Sequence, residues 1–351
     1  MSLIDHLGSA ALALGLALAT SSALAQPAAS GDMIAFVSIR SGDAHIYVHS
    51  AGQDRQITQG QGVHTHPSLS ADGRLAFVKS IGGLGKVFVT DVGGGNARRL
   101  TQAERIETSP TWSPDGRHLA FYSSDASKPG GELHIVEVAS GHTTVVGADG
   151  RDKGPTAASW SADGSRLAFL SANARGRVQV FAVGRDGSGL VDLSSKFNDR
   201  NKAGAQISPD GTRVVFTADA RQRRPLVVAE VATGNLSELT PEPDAAFEVA
   251  RWSPDGRQFA VVRIAEPGAP DSRNDIFVMD AQGGPLRNVS RHPGDDFDPH
   301  WAPDGRSIVF ASLRTGTSMI YRVDLINGQT QAVSRGHRSH DMDHVVRAAP
   351  Q

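Results

Sequence analysis

The chain has 351 residues, with 35 Lys and Arg against 37 Asp and Glu, and no cysteine. Near-balanced charge offers no basic surface for nucleic acid or for an anionic membrane, and the missing thiols exclude disulfides, thiolate catalysis and thiolate metal sites. With 38 glycines and only 6% aromatic residues, the composition favours many tight turns between short strands over long helices.

The first thirty residues, MSLIDHLGSAALALGLALATSSALAQPAAS, have the look of an export leader. Residues 7–24 are small or apolar, and Ala23-Leu24-Ala25 precedes Gln26 in an A-x-A arrangement. The expectation is a signal peptide over 1–25, a mature chain beginning near Gln26, and a periplasmic or secreted protein. So many Ala and Ser residues make a poor lipid-facing span, so no stable membrane segment is expected after cleavage.

From residue 31 onward one segment recurs. It reads PSLSADGRLAF at 67, PTWSPDGRHLAF at 110, ASWSADGSRLAF at 158, AQISPDGTRVVF at 205, ARWSPDGRQFAV at 250 and PHWAPDGRSIVF at 299. The Asp-Gly pairs at 72, 115, 163, 210, 255 and 304 are 43 to 49 residues apart, a period that marks a repeat architecture. In five of the six units a short strand runs into Ser-Pro/Ala-Asp-Gly, and in the last into Ala-Pro-Asp-Gly, where Asp can bond nearby backbone and Gly supplies the dihedral that closes the turn. A second strand follows (HLAFYSS at 118–124), then a third (LHIVEVA at 133–139) and a fourth (LSELT at 236–240). Four antiparallel strands per unit of about 45 residues is the pattern of a propeller blade. No amphipathic segment reaches helical length beyond the leader.

Before the first Asp-Gly unit lie MIAFVSI (33–39), AHIYVHS (44–50) and DRQITQG (54–60), which match the second, third and fourth strands of a blade without the first. The missing strand is found at the other end. HDMDHVVRAA (340–349) aligns with DDFDPHWAPD (295–304), so that Asp341 matches Asp296, Asp343 matches Asp298 and Val346 matches Trp301. The predicted fold is therefore all-β: one seven-bladed β-propeller over 31–347, closed by the C-terminal strand pairing with the N-terminal strands. Six blades with loose ends is the alternative.

These units, best seen in TWSPDGRHLAF (111–121) and RWSPDGRQFAV (251–261), resemble the WD40-like PD40 repeats of the TolB-type β-propeller family, and the resemblance covers nearly all of 31–347. It implies the fold strongly and the function weakly, since such propellers serve as binding platforms, as gates of prolyl-oligopeptidase-like peptidases and as sugar-lyase scaffolds. No separate N-terminal domain of the TolB kind is expected here. No G-x-S-x-G elbow of the peptidases occurs either. Oligogalacturonate lyase, similar to propellers of this type, holds a metal through histidines.

In such a ring the innermost strands surround a central channel. Five positions before the Trp column stand His64, Glu107, Pro155, Lys202, Phe247, Asp296 and Asp341. Three before it stand His66, Ser109, Ala157, Gly204, Val249, Asp298 and Asp343. His64, His66, Glu107, Lys202, Asp296, Asp298, Asp341 and Asp343 are thus the candidate ligand-binding residues of the channel mouth. Converging carboxylates repel one another unless a cation, a lysine or protonation offsets them. His64, His66, Asp296, Asp298, Asp341 and Asp343 are the candidate ligands of one divalent ion, calcium, manganese or zinc, with His300, His340 and His344 as a second tier. Carboxylates alone suit calcium, whereas imidazoles favour manganese, zinc or iron. The same residues could instead brace turns or form a polar ligand site without metal.

Two functions remain open from the sequence: a non-catalytic exported scaffold binding a protein or a small polar or carbohydrate ligand at the mouth, the main expectation, and a metal-dependent polysaccharide lyase or hydrolase. The tryptophans are expected between blades, not as sugar-stacking platforms.

Overall fold

The computed structural model describes residues 31–349 except 96, 126–130, 147–157, 173–176, 198–199, 220–222, 240–245, 265–272 and 335–341. The leader, Asp341 and His340 lie outside the described residues, as do the side chains of Met342 and Asp343. Seven four-stranded antiparallel sheets follow one another along the chain. The first is composite: Met342–Ala348 pairs antiparallel with Asp32–Ser38, which leads to His45–Ser50 and Gln53–Gln56. We number this blade 1, and blades 2 to 7 begin with inner strands His64–Leu69, Ile106–Trp112, Ser159–Trp160, Lys202–Ile207, Ala246–Trp252 and Asp296–Trp301. Closure pairs Ile34 with Val346 and Asp32 with Ala348, which places Val346 where Trp301 stands in blade 7, as the alignment of the tail predicts. The ring has seven blades, not six.

Each blade is apolar on both faces because each is covered twice, and this explains unbroken runs such as Ile308–Ala311, all fully buried. The core is seven clusters, one per blade interface. The cluster between blades 4 and 5, for example, joins Leu170 and Val180 to Phe216 and Val227, and the one between blades 7 and 1 joins Val309 and Ile320 to Ile34, Phe36 and Val346. Trp112, Trp252 and Trp301 are buried. The indoles of Trp160, Trp252 and Trp301 each donate to a carbonyl of the preceding inner strand, at Thr111, Gln206 and Arg251, 3.0–3.2 Å away. The tryptophans are inter-blade staples, as expected.

The Asp-Gly turns are built alike. In five of them the serine two residues before Asp donates its hydroxyl to the carboxylate at 2.5–2.6 Å (Ser70–Asp72, Ser113–Asp115, Ser161–Asp163, Ser208–Asp210, Ser253–Asp255). In blade 7 Ala302 occupies the serine position. The glycine that follows adopts φ between 66° and 82° in all six, a conformation a side chain would strain. At Asp163 the Ser161 hydroxyl, then the Ser165 amide and hydroxyl, pull the carboxyl down to about 2. Asp255 is lowered by the same arrangement with Ser253 and the Arg257 amide. At Asp72, Asp115 and Asp210 burial works against ionisation, yet hydroxyl, amide and cationic partners outweigh it. Because the folded carboxyls lie below the unfolded value of about 4, their stabilisation is complete above that pH and is lost as pH falls from about 4 toward 2. Thermal melts followed by circular dichroism should therefore show Tm dropping steeply across that window, and Ser161→Ala should make the drop shallower.

Candidate metal centre at the closing seam

Inner strands carry a repeated irregularity. Pairing with the second strand slips between Thr65 and Ser68, Thr108 and Thr111, Ala203 and Gln206, Phe247 and Ala250, and Phe297 and His300. In four of these blades the residue three before the Trp column is left-handed: His66, Ser109, Gly204 and Asp298, with φ of 52°, 53°, 65° and 50°. This is a β-bulge, which inserts a residue and re-aims the side chains on either side of it. Among non-glycine residues Asp tolerates the left-handed region well, and histidine is enriched there too.

The bulge separates the two candidate columns. The described polar residues five before Trp are buried and meet partners near the blade interfaces. Glu107, 1% exposed, accepts from the Val87 amide of blade 2 at 2.9 Å and from the Thr101 hydroxyl. In blades 1, 4, 6 and 7 the equivalent strand amide is met by Thr58, Ser194, Ser290 and Ser334. Lys202 donates to Gln179 of blade 4 at 3.1 Å and to the Arg200 carbonyl at 2.6 Å. His64 stacks on His45 of blade 1 at 5.1 Å, and burial, followed by the charges of His45 and Lys79, lowers its pKa. Asp296 is fully buried beside Arg314, 3.3 Å away, and burial raises its carboxyl above the usual range. His66 is exposed, its Nδ1 3.0 Å from the Thr65 hydroxyl. Among the described residues, none of His64, His66, Glu107 and Asp296 joins a cluster of three or more metal-ligating side chains. Glu107→Ala strands the buried Val87 amide and should cost about 2–3 kcal/mol in denaturant unfolding, with metal affinity unchanged in a parallel titration.

A different grouping does form. Side chains one before the Trp column face the following blade: Ser68 accepts from the Trp112 amide, and Ser159 from the Ile207 amide, both at 3.2 Å. In blade 6 that residue is Arg251, whose Nη2 lies 3.3 Å from Asp298 Oδ1. In blade 7 it is His300, and the blade that follows begins with the C-terminal strand. There His344 Nδ1 lies 3.5 Å from Asp298 Oδ2, while His300 Nε2 lies 3.3 Å from Asp298 Oδ1. The two imidazoles meet edge to face, centroids 4.9 Å apart. Asp298, His300 and His344 each offer a ligand atom within 4.8 Å of the others, a compact cluster able to coordinate a divalent ion.

Its chemistry fits such an ion. The side chain of His344 is fully buried, and its Nε2 is 3.3 Å from the Val309 carbonyl. A carbonyl only accepts, so Nε2 carries the proton, and in the neutral ring Nδ1 would be the nitrogen that ligates an ion placed between it and the carboxylate. Burial, with Arg251 and Arg347 nearby, lowers His300 despite the pull of Asp298, so this ring is neutral near pH 7, as a metal ligand must be. Burial opposes charge on Asp298, but His300, His344 and Arg251 outweigh it and hold its carboxyl well below the usual carboxylate range. Each ring nitrogen lies 3.3 or 3.5 Å from its own oxygen of the Asp298 carboxylate, so this one carboxylate addresses both imidazoles. Three protein ligands leave further positions open for water or substrate, the usual state of a catalytic rather than a structural ion.

A family profile described as the TolB β-propeller domain, PD40, matches residues 16–240 and 206–347. A TolB homolog of Chlorobium luteolum is 28% identical over 161 residues, covering 46% of this chain and 34% of that protein. The matched stretches span less than half the length of the first curated relatives. Among solved structures, an oligogalacturonate lyase in complex with manganese superposes with a TM-score of 0.67 at 18% identity, over 85% of this chain and 87% of its own. TolB from Acinetobacter baumannii superposes with a TM-score of 0.56 at 15% identity, over 88% and 79%. At these identities the likeness is one of fold.

Proposed function

Because the chain belongs to the PD40 family of TolB-type β-propellers, we propose that it is an exported propeller holding one divalent ion at Asp298, His300 and His344 and acting there as a metal-dependent polysaccharide lyase or hydrolase. The observation that carries this reading is the meeting of one carboxylate and two imidazoles at the joint between blades 7 and 1. Two imidazoles favour zinc or manganese over calcium, which takes six to eight oxygen ligands. A fold shared with a manganese-bound oligogalacturonate lyase supports the choice of reaction class. The ion would supply Lewis acidity toward a substrate oxygen. Arg251, beside the cluster, would orient an acidic substituent of the sugar through its guanidinium fork. His344, pinned by Val309, would keep its ligand nitrogen aimed without reorganisation. The test is to incubate untagged protein, with manganese or with chelator, with acidic and neutral polysaccharides. Chelator-sensitive appearance of unsaturated or reducing ends supports the reading. Metal-bound protein that leaves every polymer intact overturns it.

A second reading, a non-catalytic scaffold, draws support from the relatives named TolB and from the ring of buried inter-blade braces at Glu107 and Lys202. It predicts capture of a protein or glycan ligand that survives chelation. The A-x-A leader supports export, and a mature N-terminus near Gln26 in secreted material would test it.

A further inference from the structure

The candidate metal site lies on the closing strand, whose pairing with the N-terminal strand is the one inner-strand pairing of the ring that no hairpin joins. In blades 2 to 7 the inner strand continues through a tight turn into its partner, as Asp296–Trp301 does into Ser307–Ser312. In blade 1 the inner strand, Met342–Ala348, meets Asp32–Ser38 with no connecting turn, through the backbone ladder and side-chain packing alone, the two strands being at opposite ends of the chain. Across the seam with blade 7, the C-terminal strand contributes Val346 to the buried apolar cluster and His344 to the polar one. Arg322 of blade 7 reaches Asp32 at 2.8 Å, which secures the N-terminal strand but not the C-terminal one.

We propose that the ion bound by Asp298, His300 and His344 latches the ring shut, tying the C-terminal strand to blade 7 and coupling metal occupancy to closure. The proposal rests on the metal reading above and assigns that site a second role. Two ligands belong to blade 7 and one to the closing strand, so the full set exists only when the strand is seated. An ion that needs all three therefore binds the closed ring alone. It raises the closed-to-open ratio by a factor of 1 + [M]/Kd, about 100-fold at one hundred times Kd. Opening of a terminal strand is a local event that need not involve the other blades, so the effect is confined to the seam.

Hydrogen exchange of the full chain tests this, after chelation and then with manganese(II) chloride at one hundred times the Kd measured by titration. Amides of 342–348 and 32–38 should slow by up to about 100-fold, while those of 202–218 in blade 5 keep their rates. His344→Ala should bind manganese at least tenfold more weakly and lose the slowing. Should His344→Ala not fold, His300→Ala, which leaves the closing strand intact, must lose it instead. Manganese that binds without slowing 342–348, or slows every blade equally, overturns the latch while leaving the metal site standing. So does a His344→Ala protein that binds as tightly as the parent. If no manganese binds at all, the latch falls together with the metal reading.

Discussion

Deleting residues 337–351 should unfold the protein or lower its Tm by roughly 10 °C or more, a loss of about 5 kcal/mol. The deletion takes away the whole ladder from Asp32↔Ala348 to Val37↔Met342. It also uncovers Ile34, Phe36 and Val37, which are 2% exposed or less in the intact ring, and each buried side chain of this size is worth about 1.5–3 kcal/mol. Asp32–Ser38 then becomes an unpaired apolar edge, which templates aggregation. Scanning calorimetry and light scattering of the truncated chain would check both effects. A Tm within a degree or two of the parent would mean that the C-terminal strand is an ornament on a self-sufficient ring.

Asp298→Asn should abolish most of the metal affinity, by about 100-fold or more, while leaving the fold within about 1 kcal/mol of the parent. The large effect follows because Asp298 is, among the described residues, the only carboxylate of the cluster, and its replacement leaves two imidazoles and a weakly donating neutral amide. The small one follows because Asn, like Asp, accepts the left-handed backbone that Asp298 adopts at φ 50°. Asp298→Ala is the less clean variant, since it adds backbone strain to the loss of charge. Isothermal titration with zinc and manganese, paired with denaturant unfolding, separates the two effects. Equal loss of stability and affinity would point to a bracing carboxylate instead of a ligand.

The ring itself was legible in the sequence for physical reasons that a single chain displays openly. Ser-Pro-Asp-Gly is a turn wherever it stands, and a turn every 43 to 49 residues between β-branched runs leaves few architectures. The tail could be matched to DDFDPHWAPD because inner strands share one pattern, and the pairing of Val346 with Ile34 follows from it. Less legible was which polar residues meet. Counting back from Trp treats the inner strand as regular, but the bulge near Asp298 changes the face on which earlier residues emerge. Hence Glu107 and Lys202 serve backbone and side-chain partners in the preceding blade. Arg251 went unnoticed because its column, one before Trp, holds small or neutral residues such as Ser68, Thr111, Ser159 and Gln206 in blades 2 to 5. The change to Arg251 and His300 in blades 6 and 7 was the available signal. That His300 would meet His344 required knowing that this column faces the next blade and that the next blade begins with the chain's own tail.

Metal content of untagged protein, measured by elemental analysis after dialysis against manganese or zinc and then against buffer, bears most directly on the seam as a metal centre. The prediction is one ion per chain in the parent and none in Asp298→Asn. An ion-free parent, or a variant carrying the same ion as the parent, would contradict it.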